Sequence, residues 1–223
     1  MRGMPAFFVA AVVVLASILL WAWLHEKQRR AALEAAATEL GLTYAPDDGG
    51  FDLNRLDACR LLTLGRRGRA RHMMRGRIDD VGVAIFDYQY ATGSGRSTRT
   101  SRQTVAAFDI GMADLPRFEL RPENLLHKLG QTMGMRDIDF EDFPVFSSKY
   151  LLRGDDEARI RQRVRIEVSE HLDAHGGWSI EGGEGWIIFY RANQRVPAAD
   201  LGAFFDDAWD VYLRFGLGRE HAA

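Results

Sequence analysis

The uncharged apolar run from Pro5 to Leu24 constrains this chain more than any other stretch of it. About 20 helical residues span roughly 30 Å, which is the thickness of the hydrocarbon core of a bilayer. The run leads directly into HEKQRR without a small-residue cleavage site, so it is predicted to remain as an anchor and not to be removed as a signal peptide. The bilayer is therefore the predicted partner of residues 5–24.

The flanks of this run predict its orientation. Cations are more numerous after it than before it, where Arg2 and the amino terminus stand. The positive-inside rule then places the C-terminal bulk in the cytoplasm, on a single-pass protein of the cytoplasmic (inner) membrane. The lone Cys59 agrees, because the fold cannot depend on an internal disulfide. The residues predicted at the membrane interface are Trp21, Trp23, Lys27, Arg29 and Arg30.

Three segments are predicted: residues 1–24 as membrane anchor, residues 25–54 as helical stalk and linker, and residues 55–223 as one soluble α+β domain. The stalk helix follows from the strong helix formers of AALEAAATEL. The turn-rich PDDGG marks the linker before the domain.

The first half of the domain alternates with a period of two, which predicts an antiparallel β-meander. The turn-rich segments DDVG and TGSGRS separate its strands. TGSGRS is also glycine-rich enough to suggest a phosphate loop, but a strand follows it instead of a helix, which favours a hairpin. The predicted strands are Cys59–Leu64, Arg71–Ile78, Val83–Tyr90 and Thr104–Ile110.

The second half mixes helices with a second hairpin. WIIFY at 186–190 pairs with Trp178–Ile180 around GGEG, and both are expected in the core. Apolar residues at four-residue spacing predict a helix from Asp155 to His175, although alternation in RVRIEVS leaves a strand open there. Further helices are predicted from Pro122 to Gly130 and, with a clear apolar stripe, from Asp200 to Phe215.

The meander also carries many arginines and few acids. This cationic surface is expected to face solvent, anionic lipid or an acidic protein partner, and a second copy of the chain is a further partner left open. Nucleic acid is not expected, since no helix-turn-helix, zinc or aromatic-basic signature is present. The arginines of this surface are Arg66, Arg67, Arg69, Arg71, Arg75, Arg77, Arg96, Arg99 and Arg102.

Three alternating acids are the best candidate for chemistry: Asp137, Asp139 and Glu141, with His127 as a base. On an extended strand they share one face, where they can hold a hard cation for a membrane-bound hydrolase. The competing interpretations are an amphipathic edge strand, and an acidic edge that docks on the arginine-rich sheet. His171 and His175, one turn apart, lack the HExxH pattern of a zinc site. No metal or cofactor is predicted.

A resemblance rests on FDYQY, GSGR, QTV, LPRFELRPE and DIDFEDFPVFSSKYLLRGDDE, followed by the late amphipathic helix. Together they resemble uncharacterised bacterial membrane-anchored proteins that share a domain of unknown function. The resemblance implies one anchor and one soluble domain and transfers no catalytic residue. The arginine cluster close to the anchor predicts a membrane-tethered interaction or adaptor module. The sequence also shows no nucleophile elbow, Walker loop, paired cysteines or kinase signature, which makes an enzyme less expected without excluding one.

Overall fold

Helix α1 (Met4–Glu39) carries the apolar run without a break into the folded domain. In this computed structural model, which describes residues 4–111, 115–123, 136–138 and 144–217, the large apolar side chains from Phe8 to Leu24 are exposed. The helix is long and apolar enough to cross a membrane. Its other end is different, because Leu33 and Ala37 are buried in the domain core. The segment predicted as a stalk thus contributes to the core, while the three-segment division remains a prediction.

The remaining helices are short except the last one. Asp156 caps α4 by accepting a hydrogen bond from the Arg159 amide, as the acidic pair before this helix predicts. The helices are α2 (Arg60–Thr63), α3 (Pro144–Lys149), α4 (Glu157–Arg163), α5 (Ile166–Ala174) and α6 (Leu201–Arg214).

Nine strands of the described residues form one sheet in the order β1-β2-β3-β4-β9-β8-β5-β7-β6, with every neighbouring pair antiparallel. The predicted meander (β2 to β4) and second hairpin (β8 and β9) are confirmed, and with them the α+β class. The strands are β1 (Thr43–Ala45), β2 (Arg66–Ile78), β3 (Val81–Thr92), β4 (Arg99–Asp109), β5 (Phe118–Pro122), β6 (Arg136–Asp137), β7 (Tyr150–Gly154), β8 (Ser179–Gly183) and β9 (Trp186–Tyr190).

The sheet buries both of its faces. On one face, α1 and α6 pack over apolar side chains such as Ile85 and Phe108. On the other face, residues 51–61 cover the side chains that alternate with these along the strands, such as Phe86 and Ala107. The alternation of strand side chains therefore supplies two cores, and the apolar stripe predicted on α6 belongs to the first.

Three sequence predictions are wrong in detail. Cys59–Leu64 is not a strand, because Arg60–Thr63 forms α2 and the Leu61 amide donates to the Glu181 carboxylate at 2.9 Å. The helix predicted from Asp155 to His175 breaks at Val164 into α4 and α5, although its buried stripe is confirmed. The helix predicted from Pro122 to Gly130 does not begin at Pro122, which is the last residue of β5, and residues 124–130 lie outside the described residues.

Candidate functional site

A polar cleft of about 250 Å³ opens between α1 and the outer parts of β2, β3 and β4. Six of its nine lining residues have charged side chains, and four of these six are arginines. The lining residues are Glu26, Arg69, Arg71, His72, Asp87, Tyr88, Gln89, Arg102 and Arg195.

Strand register explains why the cleft is polar. Across β2, β3 and β4 the sheet face beneath α1 begins with the apolar row Met74, Ile85 and Ala106. The next row outward is Arg71, Asp87 and Thr104, and the row after it is Arg69, Gln89 and Arg102. The face therefore changes from apolar to cationic as it leaves the cover of the helices.

A β-bulge shapes the cleft wall. The register of β2 against β3 shifts between Arg71 and Met74, and His72 has the left-handed φ of 54°. The extra residue directs His72 to α1 while Met73 enters the core of the opposite face. Without that shift, the arginine row and the apolar row would not share one face of the strand.

Asp87 joins α1 to the sheet. Its Oδ2 accepts hydrogen bonds from Arg29 at 2.8 Å and from Arg195 at 2.6 Å, and its Oδ1 accepts one from Thr104 at 2.7 Å. Arg29 also donates to the Val196 carbonyl at 3.1 Å. Because the Asp87 side chain is only 12% exposed, these charge-assisted bonds hold the helix firmly to the domain.

His72 makes a second contact between helix and sheet. Its Nε2 lies 3.2 Å from the Glu26 carboxylate, and its Nδ1 shares a 2.8 Å hydrogen bond with the Tyr44 hydroxyl. Burial lowers the pKa of His72, although the carboxylates of Asp87 and Glu26 oppose that shift. The lowered pKa favours the neutral ring, which adds no positive charge to the cleft.

The cleft carries more positive charge than its own acids balance. Its lining holds four arginines and two carboxylates. Asp87 forms ion pairs with Arg29 and Arg195. The structure describes no hydrogen bond or ion pair for Arg69 or Arg71. Arg102 makes one long bond, 3.4 Å, to Gln89. These three guanidinium groups are available to a ligand.

The predicted arginine surface is therefore divided. Arg69, Arg71 and Arg102 line the cleft, while Arg75 donates to the Gly49 carbonyl and Arg77 to the Asp80 carbonyl at the opposite end of β2. The others lie beyond the cleft: Arg66 donates to Thr98, Arg67 and Arg99 are exposed, and the side chain of Arg96 lies outside the described part of the structure.

The residues predicted at the membrane interface also divide into those exposed along α1 and one that contacts the domain. Trp21 and Trp23 are exposed, and Lys27 lies over the Trp23 ring at 5.4 Å. Arg30 pairs with Glu26 along the helix at 3.4 Å. Arg29 instead turns into the domain, where it meets Asp87.

The acid cluster is described only in part. Asp137 lies on β6 and pairs with Arg153, whereas Asp139, Glu141 and His127 lie outside the described residues. Within the described ranges, no group of three or more His, Cys, Asp or Glu side chains is arranged to hold a metal ion. His171 stacks on His175 at 4.5 Å and contacts Asp207 and Asp210. The hydrolase hypothesis stays a prediction.

A second charged group, here called the buried acid–arginine cluster, lies inside the sheet on β5, β8 and α2. Glu119 is 3.1 Å from both Arg60 and Arg121. Glu181 accepts a 2.6 Å hydrogen bond from the Tyr190 hydroxyl, besides the one from the Leu61 amide. Burial, with the nearby charge of Glu119, raises the pKa of Glu181 to about 7.

Six cleft residues were not singled out from the sequence as site residues: Glu26, His72, Asp87, Tyr88, Gln89 and Arg195. Asp87 had a visible signal, since it follows Val83 and Ile85 on the same face of an otherwise apolar strand. A carboxylate at such a position needs a buried partner. Nothing local to Arg195 indicates that it reaches β3, because the contact joins residues 108 positions apart.

No protein-family model and no curated protein sequence matches this chain. Among solved structures, the chain is similar to the crystal structure of the mycobacterial trehalose monomycolate transport factor A, TtfA. The TM-score is 0.58 at 14% sequence identity, and the match covers 87% of this chain and 94% of that one. At this identity the likeness establishes a shared fold.

Proposed function

We propose that this chain is a membrane-tethered accessory factor for lipid transport. Its α+β domain lies on the cytoplasmic side of the inner membrane and presents the arginine-lined cleft to anionic groups at the membrane surface. In this proposal the chain is an adaptor and not an enzyme.

The observation that carries the proposal is the continuity of α1. One end of the helix is a run of exposed apolar side chains, and the other end is part of the core. Arg29 and Glu26 add polar contacts to the sheet just beyond the apolar run. A tether built in this way holds the domain at a constant distance from the bilayer, as a flexible linker would not.

The position of the cleft supports a role at the membrane surface. Glu26 lines the cleft and follows Leu24, the last residue of the apolar run, by two positions. At about 1.5 Å per residue, the cleft begins roughly 3 Å beyond that run along the helix axis. Arginines held within a Debye length of an anionic leaflet each gain about 1 kcal/mol of attraction.

The transport role comes from analogy with the structural neighbour, the mycobacterial trehalose monomycolate transport factor A. A shared fold alone does not transfer an activity. The absence of recognisable nucleophile, Walker and kinase motifs from the sequence agrees with an accessory role.

Orientation is tested with a reporter fused after Ala223. We expect a reporter that functions only in the cytoplasm to be active, because the cations follow the apolar run. A fusion active only outside the cytoplasm contradicts the proposed topology.

Function is tested by deleting the gene in the organism that encodes the chain and following labelled lipids between membrane and cell exterior. A transport factor predicts normal synthesis with retention of one lipid class in the membrane, whereas a biosynthetic enzyme predicts loss of a product. Complementation adds a control: a chain with residues 5–24 replaced by an unrelated apolar helix should restore transport, and one lacking residues 1–24 should not. Unchanged lipid distribution after deletion would contradict the proposal.

A further inference from the structure

We infer that the cleft is a binding site for a phosphate ester, and that the phosphate belongs to the headgroup of an anionic membrane lipid. This inference rests on the proposed placement of the domain at the membrane and adds to it the chemistry of the ligand.

The donors of the cleft suit a phosphate group. Arg69 and Arg102 lie on opposite sides of Gln89 in one row of the sheet, so their backbones are about 10 Å apart, two strand spacings. Long side chains from both strands can converge above Gln89, and Arg71 joins them from the next row. Guanidinium groups bind phosphate oxygens through paired hydrogen bonds and remain charged at every physiological pH.

These donors are not neutralised by the chain itself. Arg29 and Arg195 hold Asp87, which leaves Arg69 and Arg71 without a described partner. Three like charges gathered at one cleft repel one another, and an anion between them removes that repulsion. A purely structural role would instead pair them, as the chain does with Arg75 and the Gly49 carbonyl.

The size and lining of the cleft select a headgroup and not an acyl chain. Its volume of about 250 Å³ is below the range of typical drug-sized pockets. Six of its nine lining residues have charged side chains, and the carboxylate of Glu26 and the amide of Gln89 can accept hydrogen bonds from ligand hydroxyls. A phosphodiester with a small hydroxylated alcohol fits this chemistry.

The lipid source follows from the position of Glu26 two residues after the apolar run. Headgroup phosphates lie immediately outside the hydrocarbon core, so an anchored chain brings the cleft to their level. A soluble phosphate ester has the same chemistry, and an acidic protein segment is the competing macromolecular partner.

The test uses the full chain, purified in a neutral detergent, and native mass spectrometry to count bound lipids. Phosphatidylglycerol is compared with phosphatidylcholine of the same acyl chains. We expect phosphatidylglycerol to bind at least tenfold more tightly, because the choline cation offsets the phosphate charge in the second lipid. Equal binding of the two lipids would overturn the inference.

Two triple variants separate a site from a diffuse cationic surface. R69Q/R71Q/R102Q removes the cleft arginines, and R66Q/R67Q/R99Q removes as many arginines from the same strands outside the cleft. We expect the first to lose at least tenfold in affinity for phosphatidylglycerol and the second less than threefold. Equal losses would overturn the site but leave a membrane-facing cationic surface, and hence the proposed function, intact.

A further variant, R69K/R71K/R102K, keeps the charge but removes the paired donors, and it serves as the test if the glutamine triple does not fold. We expect a loss of about fivefold, and full retention of affinity would contradict the guanidinium argument.

A competition experiment shows whether the bound phosphate belongs to a lipid or a soluble ester, or is replaced by an acidic protein segment. Excess glycerol 3-phosphate and inorganic phosphate are added to the lipid-bound chain, with an octaglutamate peptide as the acidic-segment probe. We expect weak displacement by each of the three. If glycerol 3-phosphate displaced the lipid when the two are at equal concentration, the inference that the phosphate comes from a lipid would be overturned. If the peptide bound more tightly than glycerol 3-phosphate and inorganic phosphate, the inference that the cleft binds phosphate would be overturned.

Discussion

Charged side chains gather at two places on this sheet, and the two groups differ in burial and in how their charges are paired. In the buried acid–arginine cluster, Glu119 lies between Arg60 and Arg121, whose side chains are 11% and 1% exposed. In the cleft, Arg69 and Arg71 face solvent without a described partner. Charges removed from water must be paired, whereas charges at an open cleft can be left for a ligand. The first group serves folding, and the second is a candidate for binding.

The largest expected effect comes from unpairing the buried group. E119Q leaves Arg60 and Arg121 facing a neutral amide in a dry environment. We expect the free energy of unfolding to fall by about 3–5 kcal/mol, measured by urea unfolding of the full chain in neutral detergent. E184Q changes an exposed glutamate on the neighbouring β8–β9 turn and should cost less than about 0.5 kcal/mol. Equal stability of the two variants would show that the buried pairing contributes nothing.

The same cluster predicts a pH dependence through Glu181. Its folded pKa is about 7 against an ordinary value of 4.5, so between these values the folded state binds more protons than the unfolded state. Stability therefore falls as pH rises through that window, by an amount on the order of 3 kcal/mol, and no further above it. Urea unfolding at pH 5 and pH 8 measures the difference.

The control for that prediction is E181Q, which should remove most of the fall while the Tyr190 hydroxyl turns to meet the new amide. Comparing the unaltered chain with E181Q separates the contribution of Glu181 to the pH dependence of stability from that of His72. Burial lowers the pKa of His72, and its contribution therefore rises with pH. A fall of the same size in E181Q would assign the pH dependence to other groups.

A smaller effect is expected at the contact between α1 and the sheet. D87N removes the charge that holds Arg29 and Arg195, and it should cost about 2 kcal/mol. Because the lost bonds join helix to sheet, amide exchange should rise most in residues 26–33. D206N, at an exposed position of α6, is the matched control. Unchanged exchange in residues 26–33 would show that apolar packing alone holds the helix.

These contrasts also show what the sequence can predict. The meander, the WIIFY hairpin and α6 follow from regular periodicity, and each is confirmed. The short segment at Cys59–Leu64 was mistaken for a strand, since four or five apolar residues fit either period and the deciding bond to Glu181 spans 120 positions.

The candidate site was predictable only in outline. The sequence identified an arginine surface, but three of its nine members line the cleft. Which arginines reach the cleft depends on two bulges in β2, which interrupt the alternation of its side chains without a local sequence signal. The closing contact, from Arg195 to Asp87, is set by tertiary structure alone.

The smallest expected effect is the one that distinguishes the two charged groups most directly, because it has the opposite sign. Glu26 is a carboxylate on the wall of a cleft inferred to bind anions, so E26Q should strengthen binding of phosphatidylglycerol. Removal of one like charge roughly 7 Å from the phosphate, at an effective dielectric constant of about 50 for a site open to water, gives about 1 kcal/mol, or roughly fivefold in affinity. E34Q changes an exposed glutamate two turns along the same helix and should alter affinity less than 1.5-fold, an amount typical of screened surface charge. Native mass spectrometry of both variants in neutral detergent gives the comparison. In the buried acid–arginine cluster, loss of the Glu119 charge weakens the protein, whereas here loss of a carboxylate improves binding. Weaker binding by E26Q would mean that Glu26 accepts hydrogen bonds from the hydroxyl groups of the lipid and that these bonds outweigh charge repulsion in the cleft.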